Sequence, residues 1–179
     1  VFKFRIGRNE GKIWKNPNLE GIYPFIDVML GDAFIEDWHE NNVITRACWH
    51  KLRLSEYHSA VYPELAQTFD KLNADSLTEA KAQMYEFTPI VKELSGDEYN
   101  PLYCGAESKF YPQRTDRYIV SLLESVFINS GGVHPDIFWN GINYDPGTGE
   151  EVSLSDVLTD TKELSAILEK KLTEKYEGI

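Results

Sequence analysis

The chain is poor in the residues that staple or metallate small domains. Its 179 residues include two cysteines, Cys48 and Cys104, which form no CxxC pair and have no histidines at zinc-ligand spacing. That argues against a metal site, and no cofactor motif is present either. The cysteines form one disulfide, as an exported protein permits, or serve as two buried small apolar side chains. Long hydrophobic runs are also missing: stretches such as GIYPFIDVML at 21–30 are too short and interrupted to span a bilayer. Positive charge is scarce, with 18 Lys and Arg against 29 Asp and Glu and a formal net charge of -11. This balance repels polyanions, excludes nucleic acid as a natural partner and favours a basic one. Low-complexity tracts and internal repeats are lacking. The first residue is Val1 rather than Met, which fits a processed or truncated start with any signal or anchor lying upstream.

What is present is globular composition, 42% hydrophobic and 26% charged. A chain of this length buries roughly 70% of its unfolded surface without a staple. The first 42 residues read as strands and turns: VFKFRI alternates at period two, and GRNEGK and NPNLEG turn the chain. Residues 43–65, VITRACWHKLRLSEYHSAVYPEL, are rich in β-branched and aromatic side chains and read as one long strand up to Pro63. From Pro63 or Glu64 the period changes, and Leu65, Phe69 and Leu72 place one apolar stripe on a helix. The helical pattern resumes at SLTEAKAQMYEF with a Ser76/Glu79 capping box, and Pro89 is expected to kink or end it. SGDEYNPLYCG reads as a loop.

Strand period returns in RYIVSLLESVFINS, where Ser121 and Ser125 mark a half-exposed face. DIFWNGINYD is the next strand, PGTG its turn and EEV a short return. SLSDVLTD is a helical turn, and TKELSAILEKKLTEKY is a helix begun by Asp160 and Glu163, with Leu164, Ile167, Leu168 and Leu172 on one face. This order predicts an α+β fold, an antiparallel sheet with helices packed on one side. The last strand edge is left without a partner, which favours a homodimer through that edge.

The distinctive stretch is GGVHPDIFWNGINYDPGTGEE at 131–151. A catalytic reading makes His134 a base oriented by Asp136, but no nucleophile stands at a known spacing, so no catalytic residue is assigned. The structural reading uses Gly131 and Gly132 for a bend, Pro135 for stiffness and His134 to hold the loop by hydrogen bonds. DPGTGEE lacks the Lys-Ser/Thr of a phosphate loop and the carboxylate spacing of a calcium hand. The acid pairs Glu36/Asp37 and Asp97/Glu98 read as solvated turn residues rather than glycosidase carboxylates. Aromatic residues make up 13% of the chain. Most belong in a core, and Phe138, Trp139 and Tyr144 are the candidates for a ligand-binding surface.

YPELAQTFDKLN at 62–73 and residues 117–158 together resemble the RsiV-like extracytoplasmic domain family, which includes anti-sigma factor ectodomains and the accessory domain of PdaC-type peptidoglycan deacetylases. The resemblance rests on Tyr62, Pro63, Leu65, Asn73, Gly131, Gly132, His134, Pro135, Asn143, Tyr144, Asp145, Thr148, Gly149, Leu154 and Asp156. In the family a Tyr-Pro-x-Leu segment leads into a helix ending near the Asn. It covers 43–179, without the family's usual C-terminal strands, and leaves 1–42 as an N-terminal strand and turn segment of the same domain or an extension of it. It implies a domain without catalytic activity, held outside the cytoplasm at the cell envelope. There it would bind lysozyme, as in RsiV, or a cell-wall component beside a wall-modifying enzyme or lipoprotein. Within it Gly131, Gly132, His134, Pro135, Asn143 and Asp145 are the structural signature.

Overall fold

The computed structural model describes residues 5–8, 12–13, 25–39, 42–95, 104–131, 134–158 and 163–175. The expected NPNLEG turn, the Asp97/Glu98 pair, Gly132 and the Asp160 cap lie outside them. The fold is α+β. Among the described residues seven strands form one sheet: β1 (Arg5–Arg8), β2 (Lys12–Ile13), β3 (Val28–His39), β4 (Asn42–Leu54), β5 (Cys104–Thr115), β6 (Val120–Asn129) and β7 (Asp136–Tyr144). They are ordered β1-β3-β4-β5-β6-β7, with β2 beside β1 on β3. Helices α1 (Glu56–Val61) and α2 (Pro63–Ser95) join β4 to β5, and α3 (Leu154–Val157) and α4 (Leu164–Lys175) follow β7. No described helix is long and apolar enough to cross a membrane.

All strand pairs are antiparallel except β4 with β5, which run parallel from Thr45↔Cys104 to Trp49↔Ser108. The sheet is therefore mixed, and α2 is the reason. Its 33 residues span about 50 Å at 1.5 Å per residue, enough to carry the chain back to where β4 began. Strand β5 must then run alongside β4. Its period is not legible in the sequence, because Pro112 sits at a register shift between Pro112 and Arg114.

One apolar stripe holds α2 to the sheet. Leu65 and Phe69 pack with Val28, Leu52, Phe110 and Leu122; Ala80 and Met84 with Ile35, Ala47 and Trp49; Phe87 and Val91 with Ile44, Cys104 and Ala106. This continuous burial carries the helix through Pro89, where local chemistry would kink or end it. Ser76 lies within α2 and its hydroxyl donates to the Leu72 carbonyl at 2.9 Å, so it caps nothing. The long strand expected to reach Pro63 stops at Leu54, because Ser55 caps α1 by accepting from the His58 amide at 3.4 Å.

The opposite sheet face carries the cross-strand pairs Asp32↔His50, Phe34↔Cys48 and Glu36↔Arg46. Arg46 places its Nε 3.3 Å from Glu36 and its guanidinium 4.8 Å above the Phe34 ring. Cys48 and Cys104 are both free. Cys104 is level with Thr45, three residues from Cys48, a strand separation of about 10 Å that no disulfide bridges. Burial pushes both thiols up from their ordinary value, so neither is poised as a nucleophile.

Candidate binding surface

Strand β7 is the last in the sheet, and its one strand partner among the described residues is β6. Its return is a single bridge, Tyr144↔Glu151. The chain enters it through Gly131, whose φ of 86° turns the backbone where an L side chain is disfavoured, and whose amide donates to the Asn129 side chain at 3.1 Å. It leaves through a turn organised by Asp145, whose Oδ1 accepts from the Gly147 and Thr148 amides at 2.7 and 3.0 Å. Asn143 accepts from the Ser121 hydroxyl at 2.7 Å and so ties β7 to β6.

Between these ends Ile137, Phe138 and Trp139 are 57%, 52% and 59% exposed. These are three consecutive large apolar side chains exposed on both faces of a strand whose outer edge is covered by no strand among the described residues. Alternation sends Phe138 to the α2 side of the sheet, level with Val126, and Trp139 to the opposite side, level with Ser125. Trp139 meets Tyr111 there, ring centroids 6.3 Å apart and tilted by 36°. Tyr111 and Ile137 were not singled out from sequence; the β5 pattern that would have placed Tyr111 on this face was interrupted by Pro112.

Tyr144 does not belong to the surface. It is 6% exposed and packs edge to face on Phe69 with centroids 6.1 Å apart. Its register with Val120 sets it on the α2 side of β7, at the end that α2 covers. His134 is also placed differently from expectation: it is exposed, and its side chain makes no hydrogen bond to another described residue. Asp136 and Pro135 beside it are likewise exposed. A solvated loop side chain contributes little, so His134→Ala should change stability by less than about 0.5 kcal/mol in thermal unfolding.

Two other histidines stand near candidate nucleophiles. Ser55 Oγ and Asp27 Oδ2 lie 3.0 and 3.4 Å from the same atom of His58, Nδ1, which also accepts from the Asp27 amide at 3.2 Å. A proton relay needs its acid and its nucleophile on opposite ring nitrogens, so this cluster is a helix cap and anchor. His50 Nδ1 accepts from the Phe110 amide at 3.0 Å and Nε2 faces Asp32 at 3.5 Å, leaving no ring nitrogen for Cys48. Glu36 and Asp37, expected to be solvated, are buried, because β3 runs on through them inside the sheet. Glu36 accepts from Trp38 Nε1 at 3.1 Å as well as pairing with Arg46.

No protein-family model matches the chain, and no curated protein matches it in sequence. Among solved structures it is similar to a DUF3298 family protein from Pseudomonas aeruginosa PAO1, with 14% identity and a TM-score of 0.44 over 98% of this chain and 65% of that one. It is also similar to a DUF3298 family member from Bacteroides fragilis NCTC 9343, with 11% identity and a TM-score of 0.46 over 98% of this chain and 69% of that one. The chain thus spans less than two thirds of the Pseudomonas protein's length.

Proposed function

We propose that the chain is a non-catalytic binding domain of a bacterial envelope protein, acting outside the cytoplasm and recognising a basic protein partner. The observation that carries this reading is the exposed Ile137, Phe138 and Trp139 on the edge strand β7, whose outer side no strand among the described residues covers. Aromatic anchors on an unpaired edge supply the apolar centre and the backbone donors that a protein partner engages. The formal charge of -11 speeds encounter with a basic partner. The resemblance to RsiV-like domains makes a c-type lysozyme the partner to try first. The alternative is an accessory domain that holds a cell-wall component for a wall-modifying enzyme; a hydrolase using His134 has least support, given that residue's exposure and its lack of hydrogen-bond partners among the described residues.

The test is calorimetric binding to a c-type lysozyme at low and physiological salt, with an unrelated basic protein as control. Trp139→Ala should weaken binding by about 2 kcal/mol while leaving the unfolding midpoint in place, since the ring is exposed. Attraction that disappears at physiological salt, or that the unrelated basic protein reproduces, would reduce the interaction to screened charge and end the lysozyme reading. Sedimentation of the chain alone shows whether a second copy takes the β7 edge instead.

A further inference from the structure

A cavity of about 330 Å³ opens between β3 and α2, walled by Ile35, Met84, Tyr85 and Pro89. Asp37 and Thr88 line it as well. Asp37 is 4% exposed, and its one side-chain hydrogen bond among the described residues is from the Thr88 hydroxyl to Oδ2 at 2.8 Å. Its Oδ1 is buried without a hydrogen-bond partner. An ionised carboxylate carries about four acceptor positions, so the single hydrogen bond from Thr88 leaves its desolvation largely uncompensated; Thr45, its cross-strand neighbour on β4, likewise carries a buried hydroxyl with no hydrogen-bond partner among the described residues. Pro89 has no N–H, so the Tyr85 carbonyl one turn back lacks its usual helical donor. Among the described residues the basic side chain lining the cavity is Lys81, which is exposed and makes no ion pair with Asp37.

We propose that this cavity binds an alkyl cation, a guanidinium or ammonium group on a short methylene stem. The stem lies against Ile35, Met84 and Pro89, and the charged end reaches the Asp37 carboxylate. The volume suits a ligand of this size, and a guanidinium satisfies a carboxylate better than water can in an apolar recess. Strands β4, β5 and β6 separate this site from β7, so it stands apart from the partner surface proposed above. The same chemistry is carried by a free small amine or by an arginine or lysine side chain of another protein.

The experiment follows the Ile35 and Met84 methyl resonances of the full chain during titration with butylguanidinium. Butylurea serves as the neutral isostere, and an end-blocked Gly-Arg-Gly peptide as the protein-borne form. Saturable shifts at both methyls are expected with butylguanidinium and not with butylurea. Asp37→Asn should weaken that binding roughly tenfold or more. Lys81→Glu changes an exposed residue and adds a carboxylate at the rim, so it should tighten binding whether or not the Asp37 variant folds. Peptide binding at least as tight as butylguanidinium identifies a side-chain pocket; binding of butylguanidinium alone identifies a small-amine pocket. The proposal is overturned if butylguanidinium gives no saturable shift, if butylurea matches it, or if Lys81→Glu leaves the affinity unchanged.

Discussion

Gly149→Ala should cost about 2 to 5 kcal/mol, from the left-handed backbone and overpacking together. Gly149 has a φ of 70°, and a Cβ there would stand 2.7 Å from both the carbonyl carbon and oxygen of Glu64 and 2.8 Å from Thr68 Oγ1. Backbone of α2 cannot yield as a flexible side-chain tip can. The close approach exists because the turn after β7 docks on the first turns of α2, where the Thr68 hydroxyl donates to the Gly149 carbonyl at 2.8 Å. The same turn is closed by the Gly149 amide to the Asp145 carbonyl at 2.8 Å and the Asp145 amide to Glu150 at 2.9 Å. Denaturant midpoints give the cost, and Thr68→Val is the control, losing about 1 kcal/mol for the hydroxyl alone. A Gly149→Ala variant as stable as the parent would mean that the turn does not rest on α2.

That docking explains why a turn signature can be read from the sequence while its purpose cannot. Residues 145–149 form a turn because Asp-Pro-Gly-Thr-Gly favours one, and this holds for any neighbour the turn meets. That Gly149 lies against Glu64 depends on a contact between residues far apart in the chain. The same division runs through the fold. The α2 stripe at Leu65, Phe69 and Leu72 and the strand DIFWNGINYD were legible from period alone. The division of 43–65 into β4 and α1 was not, since EYHSAV carries residues that suit either state and the Ser55 cap is one hydroxyl. Nor was β5, whose proline hides its period.

At the candidate surface, Phe138 and Trp139 were legible as aromatic anchors. Tyr144 was not separable from them, because a ring six residues along the same strand looks alike in sequence whether α2 covers it or not. In the sequence Asp37 reads with Glu36 as a solvated pair. Its burial comes from α2 crossing over β3, which no local pattern announces, and the nearest signal is that the Glu36-Asp37 pair is flanked by the apolar Ile35 and Trp38.

Asn73→Ala should cost about 2 to 4 kcal/mol, more than a typical single substitution. The resemblance set a helix end near this residue, yet α2 runs on past it to Ser95. Its role lies across the helix-sheet boundary. Parallel pairing of β4 with β5 stops at Trp49↔Ser108, which leaves the Leu52 amide and carbonyl without a strand partner on that side. The Asn73 carboxamide meets both, accepting from the amide at 2.9 Å and donating to the carbonyl at 2.7 Å. It thus stands in for one rung of a β ladder. Leu52 is fully buried, so truncating Asn73 strands two backbone groups without water to replace it. Asn73→Asp is the informative companion: it keeps the acceptor for the Leu52 amide but turns a second oxygen toward the Leu52 carbonyl, and it should be no better than alanine. Faster hydrogen exchange at the Leu52 amide in both variants, with the Ala47 amide within the paired region less affected, would place the loss at this rung. Stability unchanged in both would show that β4 and α2 do not depend on it, and that apolar packing of Leu52 against Leu65 and Phe69 alone holds the end of the strand.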